Sequence, residues 1–218
     1  MSRITDRSGR PVLGQQPAFV EALVVDNRDP DKLGRVKLKF PMQPSMPEST
    51  WARVASPMAG RHRGWATIPE VGDEVLVSFM HGDIQHGVVI GGLHNGVDTT
   101  PYANEDGRND LRVFQSRAGH RLTFDDKAGA ERIELVSHNE GIHVILDTAT
   151  QRLTVFVDGD IEISAQDHYD IRAEDIHISA SGNIDIEAGE AMVLDGGSAS
   201  AIVAGGGITL QAPDVLIN

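Results

Sequence analysis

The sequence predicts an all-β chain: a small OB-like barrel at the N-terminal side, then a long run of short repetitive strands. Three observations carry this. In "RVKLKF", Val36, Leu38 and Phe40 alternate with Arg35, Lys37 and Lys39, the period of a half-buried strand. Further on, "GDIEISAQDHYDIRAEDIHISASGNIDIEAGEAMVLDGG" sets apolar residues two apart, about once every eight residues. The composition agrees, with 23 glycines and only 5% aromatic residues, which favours short strands and turns over helical packing.

The bulk properties bound the rest. The chain has 218 residues, enough for one or two domains. It has no cysteine, hence no disulfide framework, thiolate metal site or cysteine nucleophile. The N-terminal "MSRITDRSGRP" has no apolar run of the signal-peptide kind, and no stretch approaches the roughly 20 apolar residues that span a bilayer. Synthesis in the cytoplasm is the expectation. The net charge of -13 is unevenly placed: residues 1–100 hold 11 Lys/Arg and 11 Asp/Glu, residues 101–218 hold 8 and 21. A neutral half joined to an acidic half suggests two domains. The acidic half repels phosphate backbones, so no nucleic-acid partner is expected.

In the barrel region, "FVEALVV" from Phe19 is strand-like, and "NRDPDKLG" is dense in turn residues before "RVKLKF". After the Pro-rich "PMQPSMP" come "TWARVAS", "RGWATIP", "DEVLVSFMHG" and "GVVIGGLHNG", each a short apolar run bounded by Gly, Pro or Asp. Five or six such strands within residues 19–98 suggest a closed or nearly closed antiparallel barrel of OB type. Trp51, Trp65, Phe40, Phe79 and Phe19 are expected in its core or at its rim. The basic residues lie as on any solvated strand face, not as a groove with stacking aromatics.

Several motifs in this region resemble one family. They are Gly34-Arg35-Val36, Trp51-Ala52-Arg53-Val54, Gly64-Trp65, Pro69-Glu70-Val71-Gly72-Asp73-Glu74-Val75, His81-Gly82-Asp83 and Gly91-Gly92-Leu93. In that order they are similar to the OB domain of contractile-injection spikes. That family includes type VI secretion VgrG proteins, extracellular injection-system spikes and phage baseplate assembly protein V. Each motif also has a local reading. Gly72-Asp73 suits a turn before a strand, and Gly91-Gly92 a bulge or strand exit.

The second half follows a polar link at residues 99–110. "GHRLTFDD" and "GIHVILDT" repeat at a spacing of 22, each followed by a second strand-like run, "ERIELV" and "QRLTVFV". From about residue 145 the period shortens to near eight. Anchor positions run Ile145, Leu153, Ile161, Tyr169, Ile176, Ile184, Met192, Ser200, Ile208 and Val215, usually with an apolar partner two residues on: Val155, Ile163, Ile171, Ile178, Ile186, Leu194, Ile202, Leu210 and Ile217. Residues at i and i+2 share one strand face, and the Gly, Asp, Asn and Ser between them suit corners. One octad supplies about two inward side chains, too few for an isolated ladder. Stacking along an axis is the usual solution. A single-chain solenoid and three chains wound together both fit the period.

The resemblance implies the second: an OB collar followed by an intertwined trimeric β-helix or β-prism needle over residues 111–218. The expected trimer core is then Ile161, Ile163, Ile171, Ile176, Ile178, Ile184, Ile186, Leu194, Ile208 and Leu210. The acids between them, such as Glu162, Asp185 and Glu187, face water, and like charge discourages lateral pairing of rods.

No chemistry is expected. The nine histidines show no His-x-His pair, the arrangement that holds iron in some simpler spikes of this family. Gly-x-Ser-x-Gly is absent, and carboxylates are too abundant to single out a glycosidase pair. Asp158-Gly159-Asp160 does not repeat as a calcium nonapeptide would. No cofactor is implied. The resemblance implies a short spike without hub domains, residues 1–18 being an N-terminal extension. Its partners would be a separate hub protein at the collar and a PAAR-type tip protein at the apolar end Val215, Leu216, Ile217 and Asn218. The expected function is a structural homotrimeric spike assembled into an injection baseplate, touching the target membrane only mechanically. A carbohydrate-binding tail-spike-like β-helix is the rival, and an OB nucleic-acid binder the next.

Overall fold

The structure is a computed structural model that describes residues 19–42, 48–80, 83, 86–197, 203, 205 and 211. The N-terminal extension at 1–18, and His81 and Gly82 of the family-like motifs, lie outside these. Among the described residues, every regular element is a strand. The chain divides into two compact units, residues 1–161 and 162–218.

The first unit contains a closed barrel. Strands β1 (Phe19–Asp26), β2 (Lys37–Lys39) and β3 (Arg53–Val54) are followed by a short hairpin, β4 (Ala59–Gly60) and β5 (Arg63–Gly64), then by β6 (Glu74–Phe79) and β7 (Gly87–Gly92). β1 pairs antiparallel with β2 and β6, β6 pairs with β7, and β7 runs parallel to β3. An antiparallel bridge between Val36 and Ala52 joins the β2 and β3 sides and closes the ring. The order around it is β1-β2-β3-β7-β6, a five-stranded OB barrel.

The alternation in sequence becomes the core. Val20, Ala22 and Val24 of β1, Val36, Leu38 and Phe40 around β2, Val75, Val77 and Phe79 of β6, and Val89 of β7 all point inward and are buried. Leu38 is 0% exposed. Phe40 and Phe79 meet with ring centroids 5.8 Å apart. The bulge expected near Gly91-Gly92 falls one residue earlier: Val77 pairs with Val89 and Leu76 with Gly91, leaving Ile90 as the extra residue. Trp65 and Phe19 are exposed, so only Phe40 and Phe79 of the expected aromatics are core.

"RGWATIP" does not form a full strand; only Arg63–Gly64 does. Its remainder lies along the β1–β2 loop, which offers no strand edge. Asn27 Nδ2 donates to the Pro69 carbonyl at 3.1 Å. Ile68 packs over Gly34, where a β-carbon would sit 3.6 Å from its Cδ1. Gly34 has φ of +70°, the left-handed region that favours glycine.

That loop is organised by one carboxylate. Asp29 has a side chain 3% exposed and lies 2.7 Å from the Arg35 guanidinium. It accepts two guanidinium hydrogen bonds from Arg35, at 2.9 and 2.7 Å. It also accepts backbone N–H groups of Asp31, Leu33 and Arg35. The Arg35 bonds first, then these backbone donors, hold the Asp29 carboxyl far below the ordinary carboxylate range.

The unit continues into an open sheet. β8 (Leu111–Gln115), β9 (Arg121–Asp125), β10 (Arg132–Val136), β11 (Ile142–Asp147) and β12 (Arg152–Val157) pair antiparallel in chain order. The repeat at spacing 22 is this meander: β9 matches β11, and β10 matches β12.

Asp29→Asn is expected to lower the melting temperature at neutral pH. Because the folded pKa is depressed, the wild-type advantage is complete above the ordinary aspartate value of about 3.9. It is lost as pH falls below that value toward the folded one. Melting curves of both proteins from neutral to strongly acidic pH check this. The gap should close at the acid end; a gap that ignores pH would contradict the clamp.

Candidate assembly surface

Pairing in the meander decides which side chains share a face. Phe114, Leu122, Leu135, Val144 and Val155 stand opposite one another in one row across the five strands. Arg112, Phe124, Ile133, Leu146 and Leu153 form the next row on the same side. Two residues beyond the first row, Ile142 pairs with Val157 on that side too. Apart from Arg112 on the edge strand, these rows are entirely apolar.

The opposite face is mixed. Its rows are Gln115, Arg121, Val136, His143, Phe156, then Val113, Thr123, Glu134, Ile145, Thr154, then Leu111, Asp125, Arg132, Asp147, Arg152. The chain partly covers this face itself. The link at 99–110 brings Pro101 and Tyr102 into a cleft with Arg121, Thr123, Arg132 and Glu134. Burial first, then the charges of Asp106 and Asp110, raises the Tyr102 phenol above its ordinary value. Arg132 is balanced by Glu134 at 2.9 Å and Asp125 at 3.5 Å. Val136, on this side, is buried.

So the face that should be covered is largely open, with Leu122, Ile133, Val144 and Val157 half-buried on it, and the face that tolerates water is partly covered. Phe114, Phe124, Leu135, Leu146, Leu153 and Val155 are all exposed, Leu135 by 54%. Ile145, an expected octad anchor, lies on the mixed face instead. The strand parity of β11 puts Ile142, Val144 and Leu146 on the apolar side.

The octad residues are bare as well. No strand lies among the described residues after Val157. Ile161, Ile163, Ile171, Ile176, Ile178, Ile184 and Ile186 are 53–68% exposed, and Leu194 is exposed likewise. Within one chain they are not brought together into a core. Ile208, Leu210, Val215, Leu216, Ile217 and Asn218 lie outside the described residues. The described part of the unit at 162–218 thus offers apolar side chains without covering them.

Among the described residues no group of three or more His, Asp or Glu side chains is placed to hold a metal ion. No helix among them is long and apolar enough to cross a membrane.

Residues 20–94, all of this barrel but Phe19, match the family described as the type VI secretion system/phage-baseplate injector OB domain. The N-terminal barrel is similar to that domain. The chain is 36% identical over 113 residues to the type VI secretion system spike protein VgrG3 of Vibrio cholerae, 48% of this chain and 11% of that protein. It is 32% identical over 146 residues to the spike protein VgrG1b of Pseudomonas aeruginosa, 61% of this chain and 20% of that one. The actin cross-linking toxin VgrG1 of V. cholerae is 32% identical over 113 residues, only 10% of its length. This chain therefore spans a tenth to a fifth of these curated relatives. The injector OB domain and the all-β class agree with the resemblance carried by the motifs.

Monomeric proteins rarely leave a contiguous apolar sheet face in water. Leu135→Ala is therefore expected to destabilise on the scale of a core truncation such as Leu38→Ala, about 2–5 kcal/mol. Urea unfolding of both variants checks this. A loss at Leu135 within about 0.5 kcal/mol, the scale of an ordinary surface site, would show that the face stays wet.

Proposed function

We propose that the chain is a structural central spike of a contractile injection apparatus and works as a homotrimer without catalysis of its own. The observation that carries this is the succession within one chain: an injector OB barrel, then an uncovered apolar sheet face, then uncovered octads. Three copies would cover what one copy leaves bare.

In this reading residues 19–98 are the collar, 99–110 the link and 111–218 the needle. The octads of three chains supply three faces of a prism. Each isoleucine pair turns inward, and backbone groups pair between chains. A separate hub protein would hold the collar on the baseplate, and a PAAR-type tip protein would cap the end at Val215, Leu216, Ile217 and Asn218. Contraction would drive this rod through the target envelope. Its useful property is stiffness, from a continuous ladder and an interdigitated apolar core.

Ile176→Asp or Ile184→Asp places a carboxylate in that core three times over, at one level of the axis. Burying unpaired charge is prohibitive, so neither variant should assemble. Sedimentation velocity reads the outcome. Single chains or aggregate are expected; a soluble, stable trimer from either variant would contradict the inward assignment.

A further inference from the structure

The β4–β5 hairpin is a basic finger. Ala59 pairs with Gly64 and Gly60 with Arg63, leaving Arg61 and His62 as the two loop residues. All the residues from Ala59 to Gly64 are exposed. Several features hold the finger in shape. The Trp65 N–H donates to the Met58 carbonyl at 2.9 Å. The Ser56 hydroxyl lies 2.7 Å from the Trp65 carbonyl and 2.9 Å from that of Met58. A β-carbon at Gly64 would stand 2.9 Å from the Met58 oxygen, so the two arms approach as only glycine permits. His62 takes φ of 56° at the tip. Gly60 leaves room for Arg63, whose Nε would sit 2.9 Å from a β-carbon there.

The finger is anchored at the margin of the bare apolar face. Trp65 packs edge-on against Phe114, ring centroids 6.2 Å apart, and Phe114 belongs to the exposed apolar row on edge strand β8. Five residues further on, the Glu70 carboxylate lies 2.7 Å from the guanidinium of Arg117, just after β8. Both ends of the stretch from Trp65 to Glu70 are thus fixed to the β8 edge.

The charges of the finger have no ion-pair partner among the described residues of their own chain. Arg35, Arg108, Arg112, Arg117, Arg121 and Arg132 each lie within 4.0 Å of a carboxylate. Among the described residues, Arg61 and Arg63 have no such carboxylate, which is also true of the isolated Arg28, Arg53 and Arg152, but only Arg61 and Arg63 stand together on one exposed tip. This is in a chain of net charge -13 whose whole excess of acids lies in residues 101–218. Like-charged copies repel when they meet, and an interface commonly sets a polar rim around an apolar centre.

We propose that Arg61 and Arg63 form an electrostatic clasp between copies of this chain, docking on carboxylates of the acid-rich stretch 101–218 of a second copy. The inference rests on the self-association proposed above and adds the contact at its rim. The bare face around Phe114 is where the second copy packs, and the finger stands at its margin. Guanidinium groups suit this task because each can hold a carboxylate through two parallel hydrogen bonds.

The test uses the full chain. Arg61→Lys/Arg63→Lys keeps both charges and supplies amines that a carbodiimide joins to carboxylates at zero length. Isotopically labelled and unlabelled chains are refolded together in equal amounts, cross-linked and mapped by mass spectrometry. Links between labelled and unlabelled peptides, from positions 61 or 63 to acids within 101–218, are expected. A trimer whose links from those positions stay within one copy, or are absent, would overturn the clasp and leave the spike reading standing. A wild-type protein that is a single chain would overturn both. A second variant, Arg61→Glu/Arg63→Glu, should lower the urea midpoint of trimer dissociation at low salt and much less at high salt. An unchanged midpoint in both conditions would also overturn the clasp.

Discussion

A strand has two faces, and an apolar face must be covered. The barrel meets this demand within one chain. Its ring closes through the Val36–Ala52 bridge and the parallel pairing of β3 with β7, so the inward side chains of five strands cover one another. The meander does not close. Its mixed face is partly covered by the link at 99–110, while its apolar face is met only at the β8 edge, by Trp65, and leaves Phe124, Leu135, Leu146, Leu153 and Val155 exposed. The octads carry the same imbalance further, with pairs of isoleucines and no strand partner among the described residues. From the barrel onward, the chain becomes progressively less able to satisfy itself. That gradient is the physical basis for treating it as one part of an assembly.

Charge works alongside burial. The loop between β1 and β2 is ordered by Asp29, which gathers the Arg35 guanidinium and three backbone donors. This is a local device, complete within the barrel. The acids of residues 101–218 are different in kind: 21 of them against 8 Lys/Arg leave a large excess of negative charge. Acids in such excess repel one another.

Much of the fold was legible in the sequence because it rests on period two. Val36, Leu38 and Phe40 alternate without interruption and are core. The repeat linking Leu122 and Phe124 with Val144 and Leu146 is the repeat of β9 and β11. β8 was not legible, since Leu111 and Val113 face one side and Phe114 the other, with no clean alternation. Nor was the β4–β5 hairpin, whose two-residue arms are too short to carry a pattern. "RGWATIP" reads as a strand because its composition is strand-like, yet Ile68 packs on a loop. Ile145 shows the limit of counting in octads: a period of eight fixes spacing, and only pairing fixes parity. The bare face of the meander could be seen only once the register of all five strands was known.

Three copies are held to cover what one leaves exposed, and light scattering on the intact protein, at low and at high salt, tests this most directly. A mass near three times 23.5 kDa is expected in both conditions, because apolar burial rather than charge holds the copies together. The mass of a single chain in both would contradict it, and the apolar face and octads would then need another cover.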